Sequence, residues 1–264
     1  MLTDRAWPLL LIAPFLLYFA LRFAFYGAFK LLGRELPFDL EMQQRGQSLL
    51  LGQSVRQVYA WSLQPFVRVM ARARVRPNAL TIACFVLSLA AGVLIALGAI
   101  TLGGVIGLFG VSLDYFDGRI ARMSGQATRS GGFLDSVLDR FGEVAFFAGA
   151  ALAFRDSPWV LTACLCALGS GGIVSYTRAK AESLGIELRS GLMQRPERVV
   201  LFCFGASFSH VLDGWLPAAY QGQHAIFAGA LFVLGALTTL TSWTRTLAGF
   251  AALRRSEAQH KNER

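Results

Sequence analysis

Four aspartates lie near one another in the sequence, between positions 114 and 139 of an otherwise apolar and basic chain. Asp114 and Asp117 are three residues apart, and Asp135 and Asp139 are four residues apart. Residues at these separations share one face of a helix, so each pair would direct both carboxylates the same way. If the two helices pack side by side, four negative charges converge in a small apolar space, where bound cations would stabilise them. The spacing therefore predicts a divalent-metal site built from oxygen ligands.

The residues between the two pairs suit a phosphate ligand. Gly118 follows Asp117 and leaves the backbone open to close approach, while the small Ala121 leaves room beside the carboxylates. Arg122 lies one turn further on, where its guanidinium can hold a phosphate in a fork. A segment rich in Gly, Ser and Thr, residues 125–132, could wrap a nucleotide. The combination of carboxylates, a metal and an arginine is typical of phosphoryl transfer. We favour this interpretation over the alternative, in which these residues are ordinary charges at solvated helix ends.

The complete pattern resembles the signature of the CDP-alcohol phosphatidyltransferases, D-x2-D-G-x2-A-R-x8-G-x3-D-x3-D. All eight fixed positions are present with every spacing kept, at Asp114, Asp117, Gly118, Ala121, Arg122, Gly131, Asp135 and Asp139. The resemblance covers about residues 55–250, including the PNALT segment that begins the first core helix, and leaves residues 1–54 outside. It implies transfer of a phosphatidyl group from a CDP-linked lipid, CDP-diacylglycerol, to a polar alcohol in phospholipid biosynthesis, with release of CMP.

The resemblance also implies roles for individual residues. Asp114, Asp117 and Asp135 would be the main ligands of Mg²⁺ or Mn²⁺, with two ions in each active site. Asp139 would be the general base, also touching the second metal, and would deprotonate the acceptor hydroxyl that attacks the lipid-side phosphorus. The CDP site would be lined by Gly118, Ala121, Arg122, Thr128 and Gly131. Members of this family tend to be homodimers, so a homodimer is expected.

A second basic group points to the acceptor. Arg178 and Lys180 end one predicted helix, while Arg195 and Arg198 begin the next and share a face. These four residues could hold the phosphate of a phosphorylated alcohol. The segment SYTRAKAE followed by RPER is similar to the phosphatidylinositol phosphate and archaetidylinositol phosphate synthases, which implies inositol 1-phosphate as acceptor. Glycerol 3-phosphate, free inositol and serine remain alternatives, as does the ordinary excess of basic residues on cytoplasmic loops.

The elements that must position these residues are predicted to be membrane helices. Of the 264 residues, 55% are hydrophobic and the mean hydropathy is +0.50, above the level of a soluble domain. Several apolar runs approach the ~20 residues that a helix needs to cross a bilayer. We therefore predict an all-α, polytopic membrane protein whose core is six transmembrane helices, at about residues 78–100, 102–124, 130–154, 158–184, 195–217 and 224–250.

Two more helices are predicted before this core. Residues 7–32 form an apolar run long enough for an extra N-terminal membrane helix. Residues 55–74 place apolar side chains at helical spacing among arginines, which indicates an amphipathic helix on the membrane surface, with a kink at Pro65. The predicted organisation is a membrane-anchoring extension and linker over residues 1–54, a phosphatidyltransferase domain over 55–253 and a charged cytoplasmic tail over 254–264.

The distribution of charge predicts the orientation. The net charge is +9, and the loops on the aspartate side carry nearly all of the Lys and Arg, whereas the opposite loops hold only Arg155. By the positive-inside rule the aspartates face the cytoplasm, and we expect a multi-pass protein of the inner, cytoplasmic membrane. Binding of nucleic acid is not expected, because no recognition motif accompanies the positive charge.

Two other classes of protein stay open. An ion transporter would use the intramembrane carboxylates for ions, but transporters place such charges near the bilayer midplane, often on broken helices. A family member that had lost activity would serve as an assembly partner, although all eight motif positions are intact here.

Overall fold

The computed structural model describes residues 7–32, 53–186, 188 and 191–262, with the side chains of residues 53–56 and 259–262 left aside. Of the extension and linker predicted over residues 1–54, the structure describes residues 7–32, 53 and 54. The described residues form one short 3-10 turn (Ala218–Tyr220), no strands, and eight α-helices: α1 Leu9–Leu31, α2 Gln53–Arg72, α3 Pro77–Ala96, α4 Ile100–Met123, α5 Arg129–Ala153, α6 Pro158–Ser183, α7 Arg195–Asp213 and α8 Ala225–Asn262.

The all-α prediction is confirmed, and each of the six core helices, α3 to α8, begins within two residues of its predicted start. Prolines open three of them, at Pro77, Pro158 and Pro196, in the first turn where a missing N–H costs nothing. The last helix differs from expectation, since α8 continues to Asn262 instead of giving way to a separate tail near residue 254. The segment 250–262 contains neither Gly nor Pro and is rich in good helix formers, so nothing in it ends the helix.

Five of the described helices are long and apolar enough to cross a membrane, namely α1, α3, α4, α6 and α8. These helices make the chain a multi-pass membrane protein. The other two core helices, α5 and α7, were also predicted as spans. They carry the charged side chains of the candidate site in the first half of α5 and the first turn of α7. The charged side chains of the candidate site therefore lie together at one end of the bundle.

The backbones of α3 and α5 approach each other closely, and glycines make this possible. A Cβ added to Gly92 of α3 would collide with the carbonyl of Ala145 in α5, and one added to Gly149 would collide with the carbonyl of Gly92. On an adjoining face of α5, its aromatic side chains pack against α7, with the Phe146 and Phe202 rings 5.3 Å apart. The α5 helix, which carries two of the four aspartates, is thus fixed between α3 and α7.

We expect Gly92→Ala to destabilise the protein, because the new methyl group meets backbone atoms that no side-chain rotation can move. Overpacking of this kind costs about 1–3 kcal/mol. The matched control is Gly172→Ala on α6, where an added Cβ has nothing within 4 Å. Thermal unfolding in detergent should show a lower midpoint for Gly92→Ala only. An equal midpoint for the two variants would contradict the proposed close approach of α3 and α5.

Candidate active site

Three of the predicted carboxylates converge where α4 and α5 meet. Asp114 of α4 and Asp135 and Asp139 of α5 each offer an oxygen, and these oxygens lie within 4.8 Å of one another. Oxygens this close can share a divalent cation, which binds oxygen ligands at about 2.0–2.6 Å. In addition, Oδ1 of Asp135 is buried and has no hydrogen-bond partner, as suits a carboxylate whose partner is a metal. The residues present therefore fit a divalent metal ion.

Asp117, the fourth predicted ligand, lies outside this group of three. Its Oδ2 accepts a hydrogen bond of 2.8 Å from Oγ1 of Thr81 on α3, and its Oδ1 accepts one of 2.5 Å from the backbone N–H of Gly118. The side chain is buried in the contact between α3 and α4. Thr81 belongs to the PNALT segment, which the sequence marked only as the start of a core helix.

Arg195, at the start of α7, holds two of the converging carboxylates together. Its Nη1 lies 3.1 Å from Oδ2 of Asp114, and its Nη2 lies 2.5 Å from Oδ1 of Asp139. The guanidinium thus joins α4, α5 and α7 at one point and partly neutralises the cluster. Sequence reasoning associated Arg195 with the acceptor phosphate and did not anticipate this direct contact with the aspartates.

Arg198, one turn further along α7, occupies a different environment from the one expected. It is 0% exposed, and its Nε and Nη2 lie 2.5 Å and 2.9 Å from the two carboxylate oxygens of Glu143 on α5. Its Nη1 donates to the carbonyl of Met193 at 3.0 Å. Gly171 of α6 leaves room for this pair, since a Cβ there would lie 3.1 Å from Glu143. Arg198 therefore has all three nitrogens engaged and does not share an open face with Arg195.

Glu143 was missed by the sequence reasoning, although a signal was present. It follows Asp139 by four residues, just as Asp139 follows Asp135, so all three lie on one stripe of α5. The contacts between α5 and α7 consequently form two successive ion pairs, Asp139 with Arg195 and Glu143 with Arg198. We infer that the deeper, buried pair fixes the rotation and depth of α7, and with them the position of Arg195.

The two remaining basic residues of the predicted acceptor group lie on the last turns of α6. Arg178 forms an exposed ion pair of 2.8 Å with Glu182 on the same helix, and Lys180 is exposed. Among the described residues, no hydrogen bond or ion pair joins either side chain to the aspartates.

The residues expected to line the CDP site form a group between the end of α4 and the start of α5. The Thr128 side chain caps α5 by accepting a 3.0 Å hydrogen bond from the N–H of Gly131. Gly131 also faces Asn78 at the start of α3, whose Oδ1 would lie 3.1 Å from an added Cβ. The Arg122 guanidinium folds back towards Gly118, within 3.3 Å of where a Cβ would stand. Ala121 lies half-buried on the same turn as Arg122.

Tyr59 of the surface helix α2 also borders the site, which the sequence did not reveal. Its ring packs edge-on against Tyr115 at 5.2 Å, beside Asp114. Burial, with a smaller effect from the charge of Asp114, raises the pKa of Tyr59 to about 12, although a hydrogen bond with Ser112 acts the other way. The hydroxyl therefore stays protonated at neutral pH.

Fold and site together define a multi-pass membrane enzyme with a metal-binding carboxylate cluster suited to phosphoryl transfer. Residues 74–243 match the family model described as CDP-alcohol phosphatidyltransferase. The chain belongs to the CDP-alcohol phosphatidyltransferase family, as the motif indicated. The match covers α3 to α7 and the first half of α8, and it leaves α1 and α2 outside.

Similar relatives include phosphatidylinositol phosphate and archaetidylinositol phosphate synthases. The chain is 35% identical over 158 residues to the phosphatidylinositol phosphate synthase of Mycolicibacterium smegmatis, which covers 58% of this chain and 71% of that protein. It is 33% identical over 168 residues to the archaetidylinositol phosphate synthase of Methanothermobacter thermautotrophicus, with coverages of 64% and 80%.

Solved structures of a phosphatidylinositol phosphate synthase are also similar to this chain. The phosphatidylinositol phosphate synthase of Mycobacterium tuberculosis, solved with CDP-DAG bound, matches with a TM-score of 0.60 and 27% identity over 70% of this chain and 92% of that one. A second structure of that protein, in complex with manganese and citrate, matches with the same TM-score and identity and covers 88% of its chain. A divalent-metal enzyme therefore shares this fold.

We expect Arg198→Met to destabilise the protein strongly, by about 3–5 kcal/mol, because the buried Glu143 carboxylate then keeps only the long contact, at 3.5 Å, with the partly exposed Arg140. The double variant Glu143→Met/Arg198→Met should recover much of this loss, since apolar replacement of a buried ion pair is often neutral. The control, Arg178→Met, breaks only an exposed pair and should cost about 0–1 kcal/mol. Thermal unfolding measures all three, and a double variant no more stable than Arg198→Met would contradict the assignment.

Proposed function

We propose that this enzyme transfers the phosphatidyl group of CDP-diacylglycerol to inositol 1-phosphate and releases CMP. The observation that carries the proposal is Arg195, a cationic side chain that reaches both Asp114 and Asp139. An acceptor that itself bears a phosphate could place that anion on Arg195 while its hydroxyl meets the carboxylates. The names of the inositol-phosphate-using relatives, and the CDP-DAG bound to one of them, support the same substrates.

In the proposed reaction, the acceptor oxygen forms a bond to the lipid-side phosphorus of the diphosphate. The bond from that phosphorus to the bridging oxygen breaks, and CMP leaves with the bridging oxygen. The hydroxyl proton goes to Asp139, which acts as general base. Asp139 lies within 4.8 Å of the other two carboxylates of the cluster, so base and metal ligands act on one small volume.

The metal would be held by Asp114, Asp135 and Asp139, with Asp117 as a further ligand beside them. Bound Mg²⁺ or Mn²⁺, two ions in each site, would neutralise the charge of the diphosphate and of the departing CMP. The unpartnered Oδ1 of Asp135 supports its part in this ligand set.

The remaining residues bind and orient the two substrates. CDP would lie against the turn between α4 and α5, lined by Gly118, Ala121, Arg122, Thr128 and Gly131. Arg195 would hold the acceptor phosphate, and Arg178 and Lys180, exposed at the end of α6, would attract it. Arg198 is assigned a different role from the one the sequence indicated, because it is 0% exposed and bonded to Glu143. It supports Arg195 and does not contact the substrate.

The proposal also covers the membrane location, orientation and oligomeric state of the enzyme. The excess of Lys and Arg on the aspartate side supports a site that faces the cytoplasm, in the cytoplasmic membrane, where the polar acceptor and CMP can exchange with water. A homodimer is proposed on the family resemblance alone. Residues 1–54 are proposed as an extension to the phosphatidyltransferase domain, which begins at residue 55.

We expect the purified protein in CDP-diacylglycerol liposomes to release CMP with inositol 1-phosphate and Mg²⁺ or Mn²⁺, and to release little with glycerol 3-phosphate, inositol or serine. Asp139→Asn should reduce this rate by about 10²–10⁴, the usual contribution of a general base. The matched control is Asp156→Asn, at an exposed position between α5 and α6. If free inositol or serine were the preferred acceptor, the proposed acceptor-phosphate site would be wrong.

We expect Arg195→Met to raise the KM for inositol 1-phosphate by about 10–100-fold, since a hydrogen bond to a charged group contributes roughly 1.5–3 kcal/mol. The KM for CDP-diacylglycerol should change much less, even where kcat also falls. Arg155→Met, at an exposed position in the loop after α5, is the matched control. Equal increases in both KM values would indicate a general loss of site structure and would count against binding of the acceptor phosphate by Arg195.

A further inference from the structure

The N-terminal helix α1 lies outside the family match, yet it makes specific polar contacts that a simple membrane anchor would not need. It is apolar except for Arg22 and Lys30, and Arg22 lies in the second half of the helix, well before its end. An ionisable residue inside an apolar helix is costly unless it has a defined partner. The contacts of Arg22 therefore indicate where α1 must lie.

The partner of Arg22 is a backbone carbonyl of α2 that has no hydrogen bond within its own helix. Pro65 has no N–H, so the carbonyl of Trp61, four residues earlier, loses its hydrogen bond within the helix. Arg22 Nη2 donates to this carbonyl at 3.2 Å, and its guanidinium lies over the Trp61 ring. Tyr18, one turn earlier on α1, donates to the next carbonyl, that of Ser62, at 2.6 Å. These contacts fix the register of α1 on α2.

With α1 in this position, four helices line an apolar cavity of about 480 Å³. Phe15 of α1, Phe66 of α2 and Leu87 of α3 line it, and α4 lines it from Ile106 to Phe116. Apart from Ser112, the lining side chains are apolar. The volume lies within the roughly 300–1,000 Å³ typical of ligand sites.

The cavity runs along α4 in the direction of the candidate active site. Its α4 wall extends from Ile106 over ten residue steps, or about 15 Å at 1.5 Å per residue, and ends at Phe116, next to Asp117 in the sequence. The α1 helix also reaches the site through aromatic contacts, because Phe19 stacks on Tyr59 at 5.3 Å and Tyr59 packs on Tyr115, beside Asp114.

We propose that α1 closes a binding site for one acyl chain of the lipid donor, and that it thereby determines which chains the enzyme accepts. The proposal rests on the function proposed above, which places the lipid-side phosphorus at the aspartates. A chain attached there and directed into the apolar bundle would follow the α4 wall of this cavity. A long lining that is apolar except for Ser112 suits a hydrocarbon chain and offers little to a polar ligand.

The first test compares donors that differ only in chain length, dioctanoyl and dipalmitoyl CDP-diacylglycerol, in mixed micelles with inositol 1-phosphate. Ile106→Trp fills the end of the cavity far from the aspartates and should lower kcat/KM for the dipalmitoyl donor relative to the dioctanoyl donor by about tenfold or more. Ile173→Trp, at an exposed position on α6, is the control for adding the same bulk elsewhere. Retained activity on the short donor shows that the variant is folded.

The second test addresses α1 itself. Phe15→Ala opens the α1 wall and should change the same ratio severalfold, whereas Phe23→Ala, at an exposed position on the same helix, should leave it unchanged. Arg22→Met should act like Phe15→Ala, with Lys30→Met as its control. Pro65→Ala restores an N–H to α2, so the effect of Arg22→Met should be smaller in that background.

The possible outcomes separate the two proposals. If wild type releases CMP but no cavity or α1 variant changes the chain-length ratio, the acyl-site proposal is wrong and the proposed function stands. A ratio that shifts equally in the control variants would also overturn it, because the effect would then come from the membrane environment. If neither donor yields CMP with any acceptor, the proposed function itself fails.

Discussion

Mutual repulsion among carboxylates in an apolar bundle is the constraint on which the rest of this structure depends. Asp114, Asp135 and Asp139 lie close enough to share a cation, and without positive charge their convergence would be strongly unfavourable. In the described structure Arg195 supplies part of that charge from the start of α7. Electrostatics at one end of the bundle, together with side-chain packing, therefore determines where α7 lies against α4 and α5.

Close packing along the bundle sustains this arrangement. The backbone contact of Gly92 with Gly149 lies about ten residues, or roughly 15 Å, from Asp139 along α5. Gly104 of α4 allows a similar approach to Ser207 of α7. Helices that touch at these points have little freedom to slide, so the aspartates and Arg195 at the other end are held in register. The buried ion pair of Glu143 and Arg198 restrains α5 and α7 in the same way, closer to the site.

Much of the site could be predicted from spacing, and the limits of that prediction have physical causes. Spacing along a helix gives the face of each residue, which correctly brought Asp114, Asp135 and Asp139 together. Spacing does not say which neighbouring helix meets that face. The sequence therefore indicated that Arg198 binds the acceptor phosphate and did not reveal its ion pair with Glu143. Nor does spacing give side-chain torsions. The hydrogen bond that Asp117 accepts from Thr81 could therefore not be predicted. The start of each core helix was predictable because proline and loop signals are local, whereas the charge of residues 254–264 wrongly indicated a tail although residues 250–262 contain no Gly or Pro to end α8.

The α4 helix explains how one site can serve both a lipid and a water-soluble alcohol. Asp114, Asp117 and Ala121 form one stripe along it, with spacings of three and four residues. Its cavity wall forms a second stripe of apolar residues with spacings of three, four and three: Ile106, Phe109, Leu113 and Phe116. Successive residues on a helix are about 100° apart, so these two stripes are neighbours. A lipid whose phosphate lies on the first stripe can lay a chain along the second, and α1, held by the carbonyl that Pro65 leaves open, separates that chain from the surrounding bilayer.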